Sequence, residues 1–292
     1  MALEECVANV PRIRIGDIIR QQWIVKGKLG ERSCGVVWLV ANVRNEKAFA
    51  AMKVEPFMET KDDEILKMEV FVLKKMQKSP HFCRLFLAGK MENFNYFIMF
   101  IKITQWAFFV KVIVEFVYSA GAKVVAHLRS VLELRMAMPR RRFTTSTCLK
   151  IGLQCLEALK EMHTVGFVHR DVKPSNFSFG STESTKRQIF IFDFGLARQI
   201  LLPVQGTNEL RLREPRKKVA FRGTVRYCSI NVHHNMEQGR HDDIISLIYM
   251  MIELITGTLP WSGKHKKESC AIKENVSDRI LFHVISFQGF CS

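Results

Sequence analysis

His169-Arg170-Asp171-Val172-Lys173-Pro174-Ser175-Asn176, followed by Asp193-Phe194-Gly195, decides how this chain is read. In-line transfer of a phosphoryl group needs a carboxylate that orients the acceptor hydroxyl and takes its proton. It also needs a cation on the transferred phosphate and an amide oxygen on a metal ion. Asp171, Lys173 and Asn176 offer those three groups in that order. The apolar strand expected at Ile189 to Phe192 delivers Asp193 to the same place, where a carboxylate suits Mg²⁺ because that ion prefers hard oxygen ligands. Before the loop, Thr147 to His163 is predicted as a helix. Leu149, Leu153, Leu156 and Leu159 form its inward face, hydroxyl residues cap it and Gly166 stops it.

The amino-terminal half reads as strands at Trp23 to Leu29, Val36 to Ala41 and Ala48 to Val54, apolar stretches rich in Val and separated by turn residues. The first turn, Leu29-Gly30-Glu31-Arg32-Ser33-Cys34-Gly35-Val36-Val37, is of the kind that lays backbone N–H groups over phosphates, although two glycines between strands are often only a turn. Lys53 lies inside the apolar strand Ala51-Met52-Lys53-Val54. A buried lysine is costly without a partner, so it should face an anion or a carboxylate. Glu69 is the candidate: Glu64 to Gln77 has the spacing of a helix, with Ile65, Met68, Val72 and Met76 on one face and Glu69 within it.

The 292 residues are enough for two lobes or one large domain, and 44 basic against 28 acidic residues give a net charge of +16. Such a field favours polyanions. Nucleic acid is set aside, because the basic residues are spread without an aromatic-basic signature. No run of about 18 apolar residues is free of charge, so no membrane span is expected. Met1 to Asp17 does not read as a secretory signal. Eight cysteines without a C-x-x-C pair read as reduced thiols in an intracellular, cytoplasmic protein, with the cytoskeleton or nucleus as alternatives. His163 and the His233-His234 pair show no partners at metal-ligand spacing, and are expected to be structural or solvent-facing. Thr207 and Thr224 are candidate phosphorylation sites.

From Trp23 to about Val284 the chain resembles the tau-tubulin kinases, a branch of the casein kinase 1 superfamily of eukaryotic protein kinases. The residues that carry the resemblance are Leu66-Lys67-Met68-Glu69-Val70, Lys173-Pro174-Ser175-Asn176-Phe177, Asp193-Phe194-Gly195-Leu196-Ala197-Arg198-Gln199, Phe221-Arg222-Gly223-Thr224-Val225-Arg226-Tyr227 and Gly239-Arg240-His241-Asp242-Asp243. Ser229-Ile230-Asn231 stands where most kinases have Ala-Pro-Glu. The resemblance implies an α+β, bilobal protein-kinase fold with a small, mostly β amino-terminal lobe and a helical carboxy-terminal lobe. It implies phosphorylation of serine or threonine in protein substrates, with tubulin, microtubule-associated proteins and acidic or phosphorylated proteins as candidates. ATP would be held by Leu29, Gly30, Gly35, Val37, Ala51, Lys53, Glu69 and Met99, Mg²⁺ by Asn176 and Asp193, and a substrate anion by Arg226. Asp243 would open a buried central helix, Ile244 to Ile255, and brace the loop around Asp171.

The expected layout is an extension at 1–22, a kinase domain at 23–284 and a divergent tail at 285–292. Within the domain the small lobe covers 23–101 and the large lobe 132–284, separated by an atypical insertion at about 102–131. That insertion is open to three readings: a mis-joined gene model, a genuine extra element, or a second hinge at Val112 to Phe116 with Val114 as gatekeeper. Arg32 replaces the second glycine of the usual turn; if the backbone there needs a glycine-only conformation, strain of about 1–3 kcal/mol is expected. The large lobe is expected to stop short, with Ile272 to Val284 as a last helix and apolar surface left bare. These departures leave an alternative in view: a catalytically weak kinase-like scaffold or binding module.

Overall fold

The structure is a computed structural model and describes residues 13–32, 35–57, 65–100, 130–137, 142–180 and 182–287. The insertion at 102–129, with Val114, and the turn residues Ser33 and Cys34 lie outside the described residues. The chain divides into two compact units. One comprises Met1–Gln77, Cys83–Leu128 and Gly180–Arg187, and the other comprises Lys78–Phe82, Arg129–Phe179 and Gln188–Ser292.

The first unit is built on an antiparallel sheet of β1 (Ile18–Ile19), β2 (Trp23–Arg32), β3 (Gly35–Asn42), β4 (Asn45–Pro56), β5 (Leu85–Lys90) and β6 (Phe94–Phe100), in the order β1-β2-β3-β4-β6-β5. Asn42 tightens the β3–β4 turn, its side-chain oxygen accepting from Arg44 N at 2.9 Å, as turn asparagines do. Side-chain alternation splits the sheet into two faces. Val25, Val40, Ala50, Met52, Val54, Tyr96 and Ile98 form the fully buried core on one. Because Met52 and Val54 point into that core, Lys53 between them must point the other way. Helix α1 (Ile65–Lys75) buries Leu66, Glu69, Val72 and Leu73.

The second unit is mostly helical: α2 (Val131–Ala137), α3 (Thr145–Thr164), α4 (Ile230–His233), α5 (Arg240–Thr256), α6 (Lys266–Asn275) and α7 (Asp278–Phe287). Three short antiparallel ladders accompany them. They are β7 (Phe167–Val168) with β10 (Arg198–Gln199), β8 (Phe177–Phe179) with β9 (Ile189–Ile191), and β11 (Leu201–Pro203) with β12 (Leu210–Leu212). Helix α3 begins at Thr144, whose hydroxyl accepts from Thr147 N at 3.3 Å. It ends before Gly166, which adopts φ 93°; a Cβ there would meet Leu201 at 2.6 Å.

The inward face of α3 differs from expectation. Cys148, Ile151, Cys155, Ala158, Leu159 and Met162 are buried, while Leu149, Leu153 and Leu156 are 62%, 59% and 43% exposed. Only Leu159 of the four expected leucines faces the core. The deciding residues are small: Gly152 lies so close to α5 that a Cβ would stand 2.7 Å from Met251. Cysteine and alanine let two helices approach where a row of leucines would hold them apart. α5 is buried nearly all round, as its composition requires, and carries Asp242, Asp243 and Glu253 in its buried set. The last helix is also corrected: instead of one helix over 272–284 there are two, α6 and α7. The chain leaves helical geometry at Val276 (φ −70°, ψ 126°), and the Ser277 hydroxyl accepts from Ile280 N at 3.4 Å. No described helix is long and apolar enough to cross a membrane.

The corrected face of α3 has a direct thermodynamic consequence. Leu159→Ala is expected to lower the free energy of unfolding by about 2–5 kcal/mol, whereas Leu153→Ala stays within about 0.5 kcal/mol of the parent. Urea denaturation followed by circular dichroism measures both.

Candidate active site

In the first unit, strand register aligns the groups that the sequence singled out. Val37 pairs with Lys53, Leu39 with Ala51, and Ala51 with Met99. Gly30 pairs with Val37. Leu29, Val37 and Met99 pack against the buried Leu39–Ala51 pair, forming an apolar surface on the face opposite the core of the sheet. On that same face Lys53 reaches Glu69 in a close ion pair, with the lysine side chain 13% and the glutamate 4% exposed.

The helix that carries Glu69 is fixed by a residue absent from the sequence-based list. Glu55, two positions after Lys53, accepts from Ile65 N at 3.0 Å and Leu66 N at 3.1 Å. It thereby satisfies amides at the start of α1 that have no partner within the helix. Burial pushes its carboxyl up to about 7, against the pull of those two amides and of Lys53.

Arg32 closes β2 opposite Gly35 in extended backbone, so the glycine-only strain considered for it does not arise. The glycine that the turn requires is Gly35: it adopts φ 139°, and a Cβ would stand 2.2 Å from Val54 O.

In the second unit Asp171, Lys173, Asn176 and Thr224 form one hydrogen-bonded group. Lys173 Nζ donates to Asp171 Oδ2 at 2.6 Å and to Thr224 Oγ1 at 3.2 Å, and the Thr224 hydroxyl donates to Asp171 Oδ1 at 2.7 Å. Asn176 Nδ2 donates to the carbonyl of Asp171 at 2.9 Å. That bond fixes which way the amide points. Asn176 Oδ1 is left buried with no hydrogen-bond partner among the described residues, an arrangement that costs stability unless another group binds there. Divalent cations take such oxygens as ligands.

Asp193 follows through the backbone: Phe192 N donates to Asn176 O at 2.9 Å and the His169 ring pairs with Phe192 O at 3.0 Å. Asp193 itself adopts the left-handed conformation, φ 63° and ψ 70°, which aspartate tolerates better than most residues. Phe194 is buried, stacked on Phe82 at 5.3 Å and edge-on to His169 at 5.6 Å.

The whole loop hangs on Asp243 at the start of α5. One of its oxygens accepts from Arg170 N at 2.8 Å, the other from His169 N at 2.8 Å and from the His163 ring at 2.8 Å. A carboxylate that accepts several N–H bonds in a buried place is a rigid anchor. Gly223 packs beneath the same loop; a Cβ there would stand 2.7 Å from Arg170 O, and its φ is 119°.

Beside this group lies a basic cluster. Arg198 pairs with Glu237 at 3.3 Å, and Arg216 grips the same carboxylate at 2.6 and 3.2 Å. Burial works against the Glu237 carboxylate, but the Arg216 hydrogen bonds and Arg198 outweigh it and hold its pKa low. Arg170, donating to Leu196 O at 2.6 Å, is pushed down to about 10 by burial and then by Arg198 and Arg222. Arg226 lies on the buried Glu253 at 3.0 Å, and the Tyr227 hydroxyl donates to the same carboxylate at 2.5 Å.

The protein kinase domain family matches residues 23–284. The chain belongs to the protein kinase family. It is 35% identical over 253 residues to a protein of Dictyostelium discoideum named a probable serine/threonine-protein kinase, covering 87% of this chain and 44% of the relative. It is 32% identical over 250 residues, 84% of the chain, to a Caenorhabditis elegans protein provisionally named a casein kinase I, of which it covers 63%. A tau-tubulin kinase of Caenorhabditis elegans, named as inactive, is 34% identical over 206 residues, 68% of the chain and 63% of the relative. The chain thus spans less than two thirds of each of these three proteins.

The sequence-based reading had Thr224 only as a phosphorylation site. The structure places its hydroxyl between Asp171 and Lys173. Thr224→Val keeps the shape and removes both hydrogen bonds, one to a charged group on each side. Such bonds contribute about 1.5–3 kcal/mol, so phosphoryl transfer is expected to fall about ten- to a hundredfold while Thr224→Ser largely restores it. Steady-state kinetics on a peptide substrate, with nucleotide affinity measured alongside, checks this.

Proposed function

We propose that the chain is an ATP- and Mg²⁺-dependent protein serine/threonine kinase in which Asp171 is the base. The observation that carries the proposal is the hydrogen-bonded group of Asp171, Lys173, Thr224 and Asn176, with the Asn176 amide oxygen left for a metal ion.

In the first unit, Lys53 held by Glu69 is the cation for nucleotide phosphates. Leu29, Val37, Ala51 and Met99 give the apolar surface for a purine, and Gly30 and Gly35 let the backbone approach phosphates. In the second unit, Asn176 and Asp193 are the oxygen ligands for Mg²⁺, and Lys173 neutralises charge on the transferred group. Asp171 orients the substrate hydroxyl and accepts its proton. When bound, Mg·ATP supplies the phosphoryl group and screens its charge.

For substrates, the net charge of +16 and the Arg170, Arg198 and Arg216 cluster suit acidic or phosphorylated protein segments, and nucleic acid is set aside for want of an aromatic-basic signature. Arg226 is assigned to the same recognition. Tubulin or microtubule-associated proteins are the finer substrate reading; it rests on the resemblance, one relative being named an inactive tau-tubulin kinase. The cytoplasm, with its cytoskeleton, is the compartment that fits it. We keep the domain layout proposed above, with the kinase domain at 23–284.

Two measurements test this. Casein or tubulin phosphorylation by the purified chain is expected, falling about 10²–10⁴-fold in Asp171→Asn with Mg·ATP affinity retained; equal or absent incorporation in both returns the chain to the scaffold reading. Arg226→Gln is expected to raise KM for an acidic or phosphorylated peptide more than for a neutral one. An equal change for both leaves Arg226 only as the structural partner of Glu253.

A further inference from the structure

Outside the groups used above, the second unit brings together a nitrogen, a sulfur and an oxygen that the sequence keeps far apart. His234 follows α4, while Cys270 and Glu274 stand four residues apart on α6 and therefore on one helix face. His234 Nε2 lies 2.8 Å from Glu274 Oε1, and Cys270 Sγ lies 3.6 Å from the same oxygen. All three ligand atoms lie within 4.8 Å of one another. We propose that His234, Cys270 and Glu274 form a binding site for a single Zn²⁺-like cation, separate from the Mg²⁺ site assigned to Asn176 and Asp193. The sequence-based expectation that His234 lacks metal-ligand partners is thereby revised: the partners come from a helix more than thirty residues away, outside the short ligand spacings that a sequence motif shows.

The spacing suits such an ion. Zn–N and Zn–O bonds of about 2.0–2.2 Å and Zn–S bonds of about 2.3 Å place neighbouring ligand atoms about 3–4 Å apart around a tetrahedron. The present contacts need only open slightly on the His234–Glu274 side. That pair is exposed, with side chains 53% and 37% accessible, and an exposed ion pair resists opening weakly.

The ligand set selects the class of ion. Mg²⁺ and Ca²⁺ prefer oxygen alone, whereas one thiolate and one imidazole beside a carboxylate suit Zn²⁺ or a similar borderline-soft cation. The neighbouring lysines are directed elsewhere. Lys273 donates to Val225 O at 2.7 Å and Cys228 O at 2.6 Å, and Lys266 lies 4.0 Å over the Phe221 ring. Water would complete the fourth position.

Occupancy would have a mechanical effect. Through Lys273, α6 already grips the backbone just after Thr224. A metal bridge from α6 to His234 ties α4 to the same support and stiffens the segment that carries the Thr224 hydroxyl.

Cobalt substitution reads the site directly. The purified 292-residue chain, titrated with Co²⁺ in the absence of nucleotide, is expected to develop a thiolate-to-cobalt charge-transfer band in the near ultraviolet at a single equivalent. Zn²⁺ is expected to bleach that band and to raise the melting temperature. The band and the stabilisation should be lost in Cys270→Ser and in His234→Gln, and kept in Cys83→Ser. His234 is exposed and Cys270 and Cys83 are half-buried, and the metal-free melting temperatures of the variants confirm that each folds. No band in the parent chain, a band that survives Cys270→Ser, or equal stabilisation of all variants by Zn²⁺ overturns the proposal. The Mg²⁺ ligands contain no sulfur, so failure here leaves the kinase reading untouched.

Discussion

A single buried carboxylate holds the loop around Asp171 in place. Asp243 is 1% exposed and accepts from the amides of His169 and Arg170 and from the ring of His163. A loop backbone inside a protein is costly unless each N–H finds an acceptor, and ladder pairing is not open to these two residues. An aspartate projecting from the first turn of a buried helix meets that need with charge-assisted bonds at fixed geometry. Everything nearer the chemistry then follows by short steps. The His169 ring donates to Phe192 O, Phe192 N donates to Asn176 O, and Asn176 Nδ2 donates to the carbonyl of Asp171.

The helices are arranged around this anchor rather than for maximal burial of large side chains. α3 comes close to α5 at Gly152, buries Cys148, Cys155 and Ala158, and leaves three leucines exposed. Close approach of the two helices brings His163, near the end of α3, within 2.8 Å of Asp243. Dense packing of small residues can contribute as much dispersion energy as a looser leucine row. In this chain it also sets the position of a hydrogen bond on which the loop depends. The first unit repeats the device in simpler form: Glu55 of β4 fixes the start of α1, and so presents Glu69 to Lys53 two residues back along the same strand.

What the sequence made legible follows the range of each physical signal. Lys53 and Glu69 were readable because a lysine in an apolar strand and a glutamate in a helical face each demand an explanation locally, and one answered the other. The loop at Asp171 was readable because its spacing matches a known chemical task. The buried face of α3 was misread because hydrophobicity counts leucines and overlooks glycine, alanine and cysteine, whose importance lies in what packs against them. Glu55 and Glu237 were missed for a related reason. A carboxylate's partners ten or more residues away leave no periodic trace. The condition for strain at Arg32 is not met, because the glycine that the β2–β3 turn needs is Gly35, three residues on, where a Cβ would stand 2.2 Å from the Val54 carbonyl. The helix break at Val276 falls in the polar stretch Asn275-Val276-Ser277-Asp278, and the reading of one helix over 272–284 passed over Ser277 as a helix start.

Hydrogen exchange at the backbone amides of His169 and Arg170 tests the central role of Asp243 most directly. Amides held by a buried carboxylate exchange only when the surrounding unit opens. Both are therefore expected to exchange as slowly as the core of α5 in the parent chain, and to exchange much faster in Asp243→Asn while α3 amides at Leu159 and Met162 stay protected. Rapid exchange of the His169 and Arg170 amides in the parent chain, or equal protection in Asp243→Asn, would contradict the account.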